Sequence, residues 1–495
     1  MADPDHPFQL ELGGSLPVVH LAYETWGSLS AARDNAVLVC HALTGDSHVA
    51  SHPETPGSPA GWWEAMVGPG RPLDTRRFFV ICVNVLGGCG GSTGPTSPHP
   101  DDGRPYRRRF PLITIRDMVR AQHQLLLKLG IPKLRFVIGG SMGGMQALEW
   151  ALMYPEAVGA LVSIAAPLQH SAQAIALNAV QREIILSFAP GTGPAGDFGL
   201  AHQPPEPGLK TDSKSEREPG CTPESGPGST PGAQPGPESE AGVARGLALA
   251  RMLGMITYQS WESMEQKFGR RPAPGSLAAA YIHAGSSSRA SSGGVGYAYG
   301  DSSLADGSSA SQATAADGSP ATQTGASGDQ TAALASTLFE VQRYLHYQGQ
   351  KLVRRFDPDS YLYLSFALDL HDVGAGRGGL EAALERLTMP VLAVGIRSDI
   401  LYPPHEQQLL VQFLTNLGRP ARYAELDSPW GHDAFLIEAH ALGQLLRDFL
   451  TTPPAPGELI AAPLSQRPQP LLTGSTRARL QPGFRYLGPD PDQLG

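Results

Sequence analysis

Short apolar runs alternate with longer stretches of helical period along most of this chain. Ala36-Val37-Leu38-Val39-Cys40, Phe78-Phe79-Val80-Ile81-Cys82-Val83, Arg135-Phe136-Val137-Ile138, Ala160-Leu161-Val162-Ser163-Ile164 and Val391-Leu392-Ala393-Val394-Gly395 are dominated by apolar residues without alternation. Such runs are expected of strands covered on both faces. Between them, Ile115 to Leu129 and Met142 to Met153 carry the helical period. Strands alternating with helices predict an α/β domain with a mostly parallel sheet flanked by helices. Phe8 to Thr25 alternates and contains Gly13-Gly14, which predicts an antiparallel hairpin at one sheet edge. Helical segments at about 170–198, Gly246–Phe268 and Thr337–Leu370 interrupt the strand–helix rhythm. They read as a helical lid inserted where loops reach solvent.

Composition divides the chain further. Gly and Pro contribute 58 and 45 of the 495 residues, well above the usual combined share of roughly 12 %. Three segments carry the excess. Residues 199–241 are thick with Pro, Glu, Ser and Gly, 284–331 are almost entirely Ser, Gly, Ala, Thr and Asp, and 452–495 form a Pro-rich tail. None can bury enough apolar surface to offset the entropy of ordering it, so all three are expected to be disordered. The predicted organisation is a core from 1–168 and 385–451, a lid from 169–384 carrying both low-complexity insertions, and the tail 452–495.

With 37 Lys+Arg against 46 Asp+Glu, the formal net charge is −9. That balance argues against a nucleic-acid partner, which needs clustered cations to displace phosphate counterions; the run Arg107-Arg108-Arg109 is too short to change this. Four cysteines (Cys40, Cys82, Cys89, Cys221) without a C-x-x-C pair suggest neither a disulfide framework nor a structural zinc site. The start Met1-Ala2-Asp3-Pro4-Asp5 does not resemble a signal peptide, and no apolar stretch approaches the roughly 20 residues of a membrane helix. A cytoplasmic protein with no membrane partner and no metal is expected.

The strongest chemical signal is Gly139-Gly140-Ser141-Met142-Gly143, a G-x-S-x-G sequence between a strand and an apolar helix. Small residues permit the tight turn that lifts a serine hydroxyl into a site, and Met142 N–H can serve as one oxyanion donor. The alternative is a glycine-rich turn with an incidental serine. A nucleophilic serine needs a base and an orienting acid, in the order Ser, acid, His. His432, in a loop before an apolar helix, is the best-placed base, and Asp399, just past Val391–Gly395, is the candidate acid. Asp369, Asp372 and Asp427 compete by position, and a single loop Asp is more often a turn or cap residue. His41-Ala42-Leu43-Thr44-Gly45 follows a predicted strand and can supply Leu43 N–H as the second oxyanion donor, with His41 packing or supporting the turn. Cys89 lies in a glycine-rich loop with no partnered histidine in view and is read as packing rather than as a nucleophile.

The chain resembles the homoserine O-acetyltransferase family of the α/β-hydrolase superfamily. The resemblance is carried by Ala22-Tyr23-Glu24-Thr25, the run Cys40 to His48, Gly61-Trp62-Trp63, Gly68-Pro69-Gly70, Asp74-Thr75, Asn84 to Cys89, Gly139 to Trp150, and Gly431 to Leu436, in the family's order. It spans most of residues 8–450 apart from the two insertions. It implies an α/β-hydrolase fold, with Ser141 as nucleophile, Asp399 as acid and His432 as base. It further implies that Arg251 holds the substrate carboxylate and Asp433 the amino group, with Tyr258 and Arg182 lining a tunnel. A guanidinium can clamp a carboxylate bidentately, although Arg251 alone could equally be a lid-surface residue and Asp433 a helix cap.

The implied reaction is ping-pong transfer of acetyl from acetyl-CoA to L-homoserine, giving O-acetyl-L-homoserine for methionine biosynthesis. No tightly bound cofactor is required, and a homodimer through the lid is expected. The insertions flank the segment carrying Arg251, and the tail has no counterpart in a minimal family member. Three other readings are a serine acetyltransferase or a succinyltransferase, a serine esterase with a wet acyl pocket, and a non-catalytic scaffold. An intact Ser-Asp-His order argues against the last.

Overall fold

The computed structural model describes residues 6–189, 237–286 and 338–454. The expectations for most of 199–241, for all but the first residues of 284–331 and for nearly all of 452–495 therefore lie outside the described residues. Eleven strands lie among the described residues: β1 (Phe8–Gln9), β2 (Ser15–Leu16), β3 (Tyr23–Trp26), β4 (Ala36–Cys40), β5 (Val67–Gly68), β6 (Leu73–Asp74), β7 (Phe79–Val83), β8 (Phe136–Gly140), β9 (Leu161–Ile164), β10 (Val391–Ile396) and β11 (Ala421–Leu426). Seven of them form one sheet in the order β11-β10-β9-β8-β4-β7-β3. All its pairings are parallel except β3 with β7.

The five apolar runs of the sequence are β4 and β7 to β10, and four of the five are buried along their whole length, as strands covered on both faces must be. On one face Val37, Val39, Ile138, Val162 and Val394 meet Phe435, Leu442 and Phe449. On the other, Leu38, Val137, Leu161 and Ala393 meet Leu126, Leu148, Trp150 and Leu410. The two faces are covered by helices including α1 (Ile115–Lys128) and α2 (Met142–Met153). Helix α1 starts where sequence chemistry says it should: Thr114 accepts from Asp117 N–H while the Asp117 carboxylate accepts from Thr114 N–H, a capping box.

The N-terminal hairpin forms, but not at the edge of the main sheet. Strands β1 and β2 pair only with each other, and Pro17, which has no N–H to donate, ends the ladder. The antiparallel edge strand is β3, which pairs with β7 far along the chain.

Between β9 and β10 the chain runs through α3 (Ala172–Ser187), α4 (Pro237–Tyr258), α5 (Trp261–Lys267), α6 (Leu277–Ser286), α7 (Glu340–Val353), α8 (Pro358–Asp369) and the short α9 (Leu380–Leu384). Helix α4 begins inside the stretch read as low complexity and ends at Gln259-Ser260, where Ser260 caps α5 by accepting from Ser263 N–H. The continuous helix suggested by Gly246–Phe268 is therefore two. A third apolar cluster joins Met142, Met145 and Tyr402 to Leu247, Ala250, Leu352, Tyr361 and Leu364 of this insertion. After β10 come α10 (Pro404–Asn416), β11, α11 (Ala434–Ile437) and α12 (Ala439–Thr451). No described helix is long and apolar enough to cross a membrane.

Candidate active site

Parallel register aligns the C-terminal ends of β4, β8, β9 and β10, the edge where open α/β sheets collect ligands. Ser141 follows β8, Leu43 follows β4, Asp399 follows β10, and His432 follows β11. Ser141 is held at φ 57°, ψ −127°, a conformation that costs a non-glycine residue on the order of 1–3 kcal/mol. Its neighbours must be glycines for steric reasons. A Cβ on Gly139 would lie 2.2 Å from the Gly143 carbonyl oxygen, and one on Gly143 2.1 Å from that of Cys40. A Cβ on Gly140 would strike the Phe435 ring at 2.6 Å. The strand, helix α2 and the strand β4 terminus thus close tightly around the turn, while Ser141 N–H donates to the Ile164 carbonyl at 3.0 Å.

The Nδ1 of His432 lies 2.7 Å from Asp399 Oδ2. The other carboxylate oxygen, Oδ1, accepts from Leu401 N–H at 2.8 Å and Tyr402 N–H at 3.0 Å, so the carboxylate cannot rotate. With Nδ1–H committed to Asp399, Nε2 is the basic nitrogen; it is buried and has no hydrogen-bond partner among the described residues. A buried unpaired acceptor costs about 1–3 kcal/mol and calls for a functional reason. Burial pulls the His432 pKa down, but the charge and hydrogen bond of Asp399, with Asp433 beside it, outweigh this and hold it above its ordinary value. Tyr402 and Phe435 pack edge-on to the imidazole, at ring-centre distances of 5.2 and 5.8 Å.

The other aspartates weighed from sequence are occupied elsewhere. Asp369 pairs with Arg182 Nη2 at 2.6 Å and accepts from Asn178. Asp372 accepts from Gly374 N–H and Gln169. Asp427 is largely exposed and meets Arg397. Arg182, suggested as a tunnel residue, is thereby engaged with Asp369, although its Nη1 is buried without a partner among the described residues.

Among the described residues, the N–H groups of Leu43 and Met142 donate to no protein acceptor, which leaves both available to a developing oxyanion. His41 positions the Leu43 loop. Its Nδ1 faces the Ala42 carbonyl at 2.8 Å and its Nε2 accepts from Val85 N–H at 3.1 Å, an arrangement that needs a neutral ring. Burial lowers its pKa accordingly. Cys89 packs as expected: its sulfur accepts from Asp357 N–H at 3.4 Å, and burial pushes the thiol pKa up.

Arg251 lies with its guanidinium 5.3 Å from the centre of the Tyr258 ring, and that ring is 5.8 Å from the His432 imidazole. Asp433, next in the chain to His432, accepts from Gln259 Nε2 at 3.1 Å. Burial raises the Asp433 pKa against the opposing charges of Arg251, His432 and Lys267. Burial raises the Tyr258 pKa, with Arg251 lowering it and Asp433 raising it further, so a cation and an anion both act on the ring that meets His432. Tyr258, Tyr361, Gln259 and Lys267 are contributed by the helical insertion. The last three carried no signal in the sequence, because nothing local distinguishes them from packing or surface residues.

One convergent set of metal-type ligands occurs among the described residues, Glu24, His48 and His52. His48 Nδ1 and His52 Nε2 each lie 2.8 Å from Glu24 Oε2, and His48 Nε2 faces the Pro59 carbonyl at 3.0 Å. Both His48 nitrogens meet acceptors, so the ring carries both protons. Burial lowers its pKa, but Glu24 and Pro59 raise it by more. The set is satisfied as a carboxylate between imidazoles that ties β3 to the loop after β4.

The alpha/beta hydrolase fold family matches residues 35–191. Curated homoserine O-acetyltransferases of Symbiobacterium thermophilum and Carboxydothermus hydrogenoformans are 42% and 41% identical to this chain. They cover 91% and 89% of it, and 93% and 92% of their own lengths. Among solved structures, the homoserine O-acetyltransferase from Bacillus anthracis superposes with a TM-score of 0.65 at 22% identity, covering 91% of this chain and 96% of its own. Esterase E22 gives a TM-score of 0.65 at 24% identity, covering 91% and 98%. The fold is thus shared by transferases and esterases alike.

Proposed function

The chain belongs to the homoserine O-acetyltransferase family, and from that premise we propose that it transfers the acetyl group of acetyl-CoA to the hydroxyl of L-homoserine. The products are O-acetyl-L-homoserine, an intermediate for methionine biosynthesis, and free CoA. In the first half-reaction Ser141 Oγ gives its proton to His432 Nε2 and bonds to the thioester carbonyl carbon. Leu43 and Met142 N–H groups hold the oxyanion, and the sulfur leaves with the proton from His432 as CoA thiol. In the second, His432 takes the proton of the homoserine hydroxyl as that oxygen attacks acetyl-Ser141. Collapse expels Ser141 Oγ, which regains the proton.

The reading of the acceptor is supported most directly by Arg251, over the Tyr258 ring that meets His432, and by Asp433, next in the chain to His432. An amino acid presented there would set its carboxylate on Arg251 and its ammonium on Asp433, leaving the side-chain hydroxyl to reach acetyl-Ser141. Residues 169–384 serve as the lid of the core 1–168 and 385–451. A lid favours transfer because a narrow, poorly hydrated tunnel keeps water from the acyl-enzyme. The enzyme works as a homodimer through this lid. Support comes from its exposed apolar side chains, Ile256, Trp261, Leu277, Tyr281 and Tyr347, of which Trp261 and Tyr281 are 77% and 80% exposed.

The test is release of thiol from acetyl-CoA with and without L-homoserine or L-serine, alongside Ser141→Ala. Release that requires homoserine and vanishes in the variant is the expected result. Release without an acceptor would make the enzyme an esterase. A preference for serine, or activity only with succinyl-CoA, would reassign the substrate and keep the mechanism.

A further inference from the structure

Asp433 is held by an arm that begins in α5. The amide of Gln259, almost wholly buried, donates from Nε2 to Asp433 Oδ2 at 3.1 Å. Its Oε1 accepts twice, from Ser263 Oγ at 2.6 Å and from Lys267 Nζ at 2.7 Å. An ammonium can only donate, so Lys267 fixes which end of the amide is oxygen, and the NH2 must face Asp433. The Lys267 ammonium itself is held above the Trp430 ring, 4.8 Å from its centre. The arm is rigid at its root. A Cβ on Gly431 would lie 2.6 to 2.8 Å from the backbone of residues 258 to 260, and Ser260 Oγ donates to the Pro429 carbonyl. The α4–α5 corner is therefore seated directly on the loop that carries His432 and Asp433.

We propose that Lys267 and Gln259 are positioning residues that hold Asp433 as an oriented carboxylate for the substrate ammonium, so that the insertion sets affinity for the amino-acid acceptor without touching it. This rests on the role given to Asp433 above. A fixed amide donor leaves one carboxylate oxygen pinned and the other available to the incoming cation. The charged and titratable groups acting on Asp433 are Arg251 and Tyr258 from α4, Lys267 from α5, Tyr344 from α7 and His432. Removing the Lys267 charge removes one influence that favours ionised Asp433.

Ping-pong kinetics separate the two half-reactions, so the arm can be read without confusion with the triad. Lys267→Met keeps the stem on Trp430 but removes the ammonium that anchors the Gln259 amide oxygen and favours ionised Asp433. The expected result is a loss of roughly tenfold in kcat/KM for homoserine, with that for acetyl-CoA within twofold. The acidic limb of the homoserine profile should move to higher pH, and Lys267→Arg should recover most of the loss. Gln259→Leu should reproduce the same split, and Asp433→Asn is the control. Loss of both parameters together, or of neither, in Lys267→Met overturns the arm while Asp433→Asn still impairs homoserine use. If Asp433→Asn leaves homoserine use intact, the ammonium role of Asp433 fails, and the arm with it.

Discussion

At Ser141 a non-glycine residue is kept at positive φ, and at His432 a buried ring nitrogen is left without a partner among the described residues. Both are local costs that a stable fold would relieve unless a site required them. The Asp399–His432 contact is what makes the second arrangement useful. In Asp399→Asn the amide oxygen would stay on the Leu401 and Tyr402 N–H groups, and the NH2 would face Nδ1. The ring proton would then sit on Nε2, the wrong nitrogen for accepting one from serine. Turnover is expected to fall about 10³- to 10⁴-fold with the fold intact, measured as thiol release beside a circular dichroism melt. The pH dependence follows the same contact. The neutral imidazole is the base, and its pKa is raised, so kcat/KM for acetyl-CoA should rise with pH along a limb above the ordinary histidine value. Losing the Asp399 charge should move what remains of that limb to lower pH. Asp399 was one of four aspartates that suited the sequence order; its place just past an apolar strand favoured it, and the partners that engage Asp369 and Asp372 lie too far along the chain to be read from sequence.

At the scale of elements, the turn between β8 and α2 is the part of the site most directly written in the sequence. Each glycine there answers a backbone or ring that would otherwise be struck. Gly143→Ala would press a methyl against the Cys40 carbonyl, and neither helix α2 nor strand β4 can yield in so closely packed a core. We expect a destabilisation of about 3 kcal/mol together with loss of activity, read from a denaturant melt and the thiol assay. Strands β4 and β7 to β10 were visible because a strand buried on both faces must be apolar throughout. Strand β11 was missed because it is a sheet edge, with Arg422 and Glu425 interleaved among Ala421, Tyr423 and Leu426. The break between α4 and α5 was missed for a related reason. A capping serine in the midst of a helical pattern is decided by its docking on residues 429–431.

For the whole molecule, the exposed apolar side chains of the insertion set the prediction that separates a monomer from the proposed dimer. Trp261 and Tyr281 protrude from α5 and α6. Wild-type protein should sediment at twice the 52.3 kDa chain mass, and the double substitution Trp261→Glu with Tyr281→Glu should sediment as a monomer at the same concentration. A wild-type monomer would remove the dimer from the proposal while leaving the chemistry untouched.

What the sequence determined by itself was the part of the protein ruled by local rules. Continuous apolar runs dictated a buried parallel sheet, the G-x-S-x-G turn dictated a strained serine at a helix start, and the order of motif blocks marked the family. What only the tertiary structure decided was which groups meet across the chain. The pairing of Asp399 with His432, the approach of Arg251 through Tyr258 to His432, and the Lys267–Gln259 arm on Asp433 join residues separated by up to about 180 positions. Such contacts leave no periodicity and no spacing to read, because packing of the whole sheet and insertion places them.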